Sequence, residues 1–263
     1  MGMPRYFMEM AYNGQNYHGW QIQPNAISVQ EVINDALKKA IREEVNVVGA
    51  GRTDTGVHAS YFVAHFDCEQ AIEDTQFILH RLNRILRNDV VVYSLFLVDD
   101  EAHSRFGAVS RTYHYYIKPF KTPFFNDISY RPSFHIDVGK MNEAAYTLFE
   151  YTDFTSFSKL HTDTKTNNCK IMQAQWVDKD DMLVFVIKAD RFLRNMVRAV
   201  VGTLLEVGRG KMTIEQFKEV IEAKNRSQAG TSVPPQALFL VDVEYSNELF
   251  QPIEKKPPVQ VDL

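Results

Sequence analysis

Between Ser28 and Ile41 the apolar residues fall at Val29, Val32, Ile33, Ala36, Leu37, Ala40 and Ile41, the three- and four-residue spacing of one helix face. Ser28-Val29-Gln30-Glu31 supplies a capping box at its start, the Ser28 hydroxyl serving the first-turn amides while Glu31 reaches back. Upstream, the apolar run from Tyr6 to Tyr12 ends at Asn13-Gly14, a strong turn signal, and predicts a strand. Downstream, the pattern predicts strands at Val45 to Ala50 and Tyr61 to Phe66, a helix from about Thr75 to Leu86, and a strand across Val90 to Val98. The order is βαββαβ.

After Asp99-Asp100-Glu101 a second pass begins. It predicts a strand at Ala108 to Lys118, a helix near Met141 to Glu150, and strands at Lys170 to Val177 and Leu183 to Ala189. Helices from Phe192 to Val207 and Ile214 to Ala223 and a strand at Leu238 to Tyr245 complete it. Each half has the order of a ferredoxin-like unit. The expected class is therefore α+β: two ferredoxin-like halves with antiparallel sheets flanking a central active-site cleft. The domains are placed at residues 1–100 and 101–250, with a Pro-rich tail over 251–263.

Composition narrows the class. At 263 residues and 45% hydrophobic, the chain can bury one large core or two small ones. No apolar run reaches the roughly 20 residues of a membrane-spanning helix, and the N-terminus has no apolar stretch of signal-peptide length. A soluble, cytoplasmic protein without membrane attachment is expected. Two cysteines, Cys68 and Cys169, are too few and too far apart for a disulfide framework and read as buried, inert thiols. The eight histidines form no ligand-spaced pair, so no metal site is predicted. The net charge of −4 opposes nucleic-acid binding mildly, but distribution outweighs the sum. Acidic residues gather at Asp67 to Asp74, Asp99 to Glu101 and Asp178 to Asp181. Arginines gather at Arg81, Arg84 and Arg87 and again at Arg191, Arg194 and Arg198, which predicts a two-faced surface.

The segment Gly49-Ala50-Gly51-Arg52-Thr53-Asp54-Thr55-Gly56-Val57-His58 is polar and glycine-punctuated between two predicted strands. Such a loop can bring backbone and side chains close to a ligand. On spacing alone, Asp54 is as well suited to capping a turn as to catalysis. By the same spacing Arg191, Arg194 and Arg198 fall in one narrow arc of the predicted Phe192 helix. Arg111, Tyr113 and Tyr115 alternate along a strand and share one of its faces. Trp20 reads as a packed residue rather than a stacking platform.

These residues resemble a known family. The loop is similar to the Gly-Arg-Thr-Asp-Ala-Gly-Val-His-Ala motif of the tRNA pseudouridine synthase A family, with Thr55 in place of Ala. Tyr12-Asn13-Gly14, Tyr17, Gly19-Trp20-Gln21 and Gln23 look like its N-terminal signature, with Asn13 in place of Asp. Arg105-Phe106, Ala108, Arg111-Thr112-Tyr113-His114-Tyr115, Asp153-Phe154-Thr155-Ser156-Phe157 and Met196-Val197-Arg198 follow in the family's order. Arg87 and Ala237 depart from it at places that look structural.

The resemblance implies isomerisation of uridine to pseudouridine in the anticodon arm of tRNA, at positions 38 to 40, by a homodimer that needs no cofactor. It makes Asp54 the catalytic nucleophile; addition to C1′, addition to C6 and support of a glycal intermediate are all open to a carboxylate there. It gives substrate-binding roles to Tyr113, which stacks on the target uracil, to Arg52, which assists base flipping, and to Arg198, which keeps the carboxylate ionised. Arg105, Arg111, Arg191 and Arg194 are further candidate RNA contacts.

Two rivals come from other classes. Asp54-Thr55-Gly56 spells the tripeptide of aspartic proteases, but that dyad shares a proton whereas Arg52 favours full ionisation. The βαββαβ order is also that of the RNA-recognition motif, and Phe62-Val63-Ala64-His65-Phe66 echoes its aromatic strand, which would make the chain a non-catalytic RNA binder.

Overall fold

The computed structural model describes residues 2–159 and 166–246; the tail predicted over 251–263 lies outside them. The elements are β1 (Arg5–Tyr12), α1 (Val29–Ile41), β2 (Val48–Gly49), β3 (His58–Asp67), α2 (Thr75–Ile85), β4 (Val90–Val98) and β5 (Ala108–Ile117), then α3 (Val138–Thr147), β6 (Ile171–Lys179), β7 (Met182–Ala189), α4 (Met196–Gly208), α5 (Ile214–Glu222) and β8 (Leu238–Tyr245). This is the expected α+β class. The chain forms two compact units, one running to Val109 and resuming at Leu240, the other spanning Ser110–Phe239.

In the first unit the sheet order is β4-β1-β3-β8, with β2 also beside β3. β1 is antiparallel to both neighbours, so Met8 faces Ala64 on one side and Leu95 on the other. The period of two sorts its aromatics. Tyr6 stacks on Phe66 and Tyr12 meets Phe62 edge-on, while Phe7 packs against His65, Phe96 and Tyr245. The capping box forms as predicted: Glu31 N–H donates to Ser28 Oγ and Ser28 N–H to the Glu31 carboxylate, each at 3.3 Å. Below it Val29, Ile33, Ala36, Leu37 and Ala40 are buried, and each large aliphatic among them contributes roughly 1.5–3 kcal/mol.

The predicted Val45 to Ala50 strand shrinks to Val48–Gly49. Side chains of α1 take the backbone groups a longer strand would need: Asn34 Oδ1 accepts from Val47 N–H at 3.1 Å, and Gln30 Nε2 donates to the Val47 carbonyl at 2.7 Å.

In the second unit β7 lies antiparallel between β5 and β6, with Tyr113 opposite Ile187 and Tyr115 opposite Phe185. α3 starts earlier than predicted because Asp137 caps it, Oδ1 accepting from Lys140 N–H at 3.0 Å. α4 starts later, at Met196. Asn195 adopts φ +67°, a left-handed conformation Asn tolerates, which breaks the helix that the apolar run predicted from Phe192. Only Arg198 of the three arginines lies on a helix, so the shared helical arc does not exist. Among the described residues no helix is long and apolar enough to cross a membrane.

Two histidines, His65 buried and His114 half-buried, give the fold a pH dependence. His65 Nδ1 lies 2.7 Å from Ser104 Oγ, and burial, then His103 and Arg5, lower its pKa to about 4. Burial, then Lys179, does the same to His114, also to about 4. Above pH 6.5 both are neutral folded or unfolded. As the pH falls from 6.5 towards 4, the unfolded chain takes up protons that the folded chain refuses, so stability drops. The denaturant midpoint should fall between pH 7.5 and 5. That fall should be smaller in the His65→Gln/His114→Gln variant; an equal fall would refute this origin.

Candidate active site

Glycines and a buried hydrogen bond shape the Asp54 loop. Thr53 points inward, its hydroxyl 2.9 Å from Tyr12 Oη in a buried contact. The backbone on either side is pinned: Trp20 N–H donates to the Thr53 carbonyl at 3.3 Å, and Ala50 N–H to the Val63 carbonyl at 2.8 Å. Alternation then turns Arg52 outward, where it is exposed, and leaves Asp54 half-buried. Val57 N–H closes a turn onto the Asp54 carbonyl at 3.1 Å. Gly56, at φ +76°, takes the position where a type II turn requires glycine.

The segment between β1 and α1 holds this turn. Gly56 N–H donates to the Tyr17 carbonyl at 3.3 Å, and Gly14 N–H to His58 Nδ1 at 3.1 Å. A Cβ on Gly14 would overlap the Val57 carbonyl, and one on Gly19 the Thr53 carbonyl; Gly19 also sits at φ +85°. Tyr17 Oη donates to Asp89 at 2.6 Å, fixing the outer end of the segment. Trp20 is buried 4.2 Å from the Phe62 ring, as the packed reading expects. Tyr12, Thr53 and His58 stand in the sequence motifs, but their pairing across the two segments does not follow from the sequence pattern. The signal was present in the adjacent glycines, but it depends on contacts spanning about forty residues.

The second unit assembles its own group. On β5, Tyr113 meets Phe192 edge-to-face at 5.1 Å, and Tyr115, two residues along on the same face, donates its hydroxyl to the Pro234 carbonyl at 3.1 Å. Arg198 Nε donates to the neighbouring Val233 carbonyl at 2.8 Å, and Val233 N–H returns a bond to the Arg198 carbonyl at 3.2 Å. Tyr115 and Arg198 thus flank one backbone strap. The strap is fastened to α4 through Gly230 N–H on Thr203 Oγ1 at 2.9 Å and Asn195 Nδ2 on Ser232 Oγ at 2.6 Å. Gly202 admits it, because a Cβ there would overlap the Thr231 carbonyl. Arg111 donates to the Asp190 carbonyl at 2.8 Å. Arg191 is half-buried and Arg194 exposed in the turn before α4, and Arg105 is exposed in the first unit, its guanidinium 5.6 Å from the Phe106 ring. Burial places both cysteine thiols well above their ordinary range, Cys68 at about 11 and Cys169 at about 12. Among the described residues no group of three or more His, Cys, Asp or Glu is arranged to hold a metal ion.

The first unit thus presents a half-exposed carboxylate in a glycine-shaped loop, and the second a strand-borne tyrosine with arginines near it. The chain matches the family described as tRNA pseudouridine synthase over residues 9–106 and 144–246. Proteins named tRNA pseudouridine synthase A are similar over nearly its whole length. That of Parabacteroides distasonis is 58% identical, covering 96% of this chain and 100% of its own. That of Bacteroides fragilis is 57% identical over 95% and 100%, and that of Colwellia psychrerythraea 40% identical over 97% and 99%. The chain belongs to the tRNA pseudouridine synthase family. Neither the protease reading nor that of a binding-only module finds support in these matches.

Proposed function

We propose that this protein isomerises uridine to pseudouridine in the anticodon arm of tRNA, at positions 38 to 40, with Asp54 as the nucleophile. The bond from ribose C1′ to uracil N1 breaks, the base rotates, C5 joins C1′ and gives up its proton, N1 takes up a proton, and the bond made by the Asp54 carboxylate is broken again as product forms. Product and substrate are isomers, so no oxidant, reductant or group donor enters the balance. The target base must first leave its stack, at a cost of a few kcal/mol. Arg52 holds the flanking phosphate or fills the vacated place, a bidentate task suited to guanidinium. Tyr113 stacks on the extruded uracil, and Arg198 completes the substrate-binding set. Arg105, Arg111, Arg191 and Arg194 add contacts to the RNA backbone. The working form is a cytoplasmic homodimer.

One observation supports Asp54 above the rest: it is the half-exposed acid of a loop whose flanking residues are locked by buried bonds. A carboxylate held that way is ready to meet a substrate without reorganising. The test is to incubate purified protein alone with unmodified tRNA transcripts and map pseudouridine. Conversion at positions 38 to 40 is expected. Conversion confined to other positions would refute the site assignment, and none at all would refute the activity.

A further inference from the structure

The first unit carries a second feature that the Asp54 loop does not use. Lys39 of α1 and Phe77, His80, Arg81, Arg84 and Ile85 of α2 line a shallow groove of about 430 Å³ whose wall is almost wholly apolar, so Lys39, Arg81 and Arg84 give it their hydrocarbon stems and carry their charges at its rim. The five α2 residues follow three- and four-residue steps and so occupy one face, with neighbouring Cβ atoms about 5–6 Å apart. α2 fully buries a single side chain, Leu82. Its outer stripe is thus left uncovered, and Phe77 is 59% exposed.

Charge makes this stripe unusual. Among the described residues no hydrogen bond or ion pair engages the side chains of Lys39, His80, Arg81 or Arg84. Glu43 accepts from Glu69 N–H and Asp74 from Phe77 N–H, each at 2.8 Å, and Asp35 stands one turn before Lys39 on α1, so the excess positive charge is concentrated on the Arg81 and Arg84 side of the groove. In a chain of net charge −4, three unpaired permanent cations and a histidine around one exposed aromatic ring form a concentrated positive field. Its complement is a chain of phosphates, with a base available to the ring.

None of the groove's lining residues belongs to the Asp54 loop or to the segment that holds it. The start of α1 touches the Asp54 loop's support, Val29 N–H donating to the Gly19 carbonyl. Lys39 lies ten residues on, about 15 Å along the helix axis. A contact there reaches RNA well outside the extruded nucleotide.

We infer that the Lys39–Arg81–Arg84 groove is an anchoring site for the phosphodiester backbone of the substrate RNA, distinct from the site that receives the target uridine. This rests on the tRNA-modifying reading above, and its test separates the two. Fluorescence anisotropy with labelled, unmodified tRNA transcript is measured across salt concentrations, alongside pseudouridine formation. In Lys39→Gln/Arg81→Gln/Arg84→Gln, Kd and KM should rise about tenfold and the slope of log K against log salt should shrink by about 2–3. The effect should fall on KM, with kcat within about twofold. Arg81→Lys/Arg84→Lys should keep wild-type affinity, because a phosphate accepts a point charge. Arg84→Gln alone, at an exposed position, should lower the slope by about one, so the decision does not depend on the triple variant folding. Wild-type affinity and slope in the Gln variants, with the unaltered protein still forming pseudouridine, would overturn the anchor alone. Loss of self-association with unchanged RNA binding would also overturn it, in favour of contact between copies. If the unaltered protein forms no pseudouridine, it is the enzymatic reading that fails.

Discussion

Asp54→Asn is expected to bind unmodified tRNA transcript as the unaltered protein does and to form no measurable pseudouridine. The amide has the carboxylate's shape but neither its charge nor its nucleophilicity, so the loss should reach at least about 10⁴-fold. Folding should be retained, because Asn keeps the size of the side chain and its ability to accept a hydrogen bond, and the bond that closes the turn uses the Asp54 backbone carbonyl. Single-turnover conversion together with tRNA binding measures both halves of the expectation. Full conversion by the variant would move the chemistry to another residue.

The second large effect comes from a residue that bears no functional group. Gly19→Ala places a methyl group against the Thr53 carbonyl at a backbone of φ +85°. Either Gly19 moves and surrenders its contact with α1, or the loop shifts and takes Asp54 with it. A displacement near 1 Å costs a catalytic group on the order of 100-fold in kcat. The backbone strain adds about 1–3 kcal/mol of destabilisation. Gly51→Ala is the contrast, because nothing lies within 4 Å of a Cβ there; its melting temperature should match wild type. Equal stability and equal kcat in Gly19→Ala would show that the loop does not rest on this contact.

The parts legible in the sequence were those fixed by neighbours. Ser28 and Glu31 are three residues apart, and their capping box could be read directly. The glycines around Asp54 announced a loop, and the arginines of α2 announced a charged face. What escaped was fixed from a distance. β2 is cut short by Asn34 and Gln30 of α1, whose amides look like ordinary helix-surface residues in the sequence. The run from Phe192 is apolar enough for a helix. Yet Asn195 turns left-handed with its amide on Ser232, and the Arg194 carbonyl accepts from Lys159 N–H at 3.0 Å. The three-arginine arc failed for that reason: periodicity assumes a continuous helix, and long-range bonds ended it. The candidate residues themselves came from motif resemblance more than from physics, since a lone Asp before Thr-Gly is equally at home in any turn.

Tyr12, Gly14, Tyr17 and Gly19 bolt to Thr53, Gly56, Val57 and His58. Two signatures that look like separate landmarks along the chain are one mechanical part, a jig and the tool it grips. Drift in either half is therefore tolerable only with matching drift in the other, and a change in the first twenty residues can disarm the enzyme as surely as one beside the carboxylate.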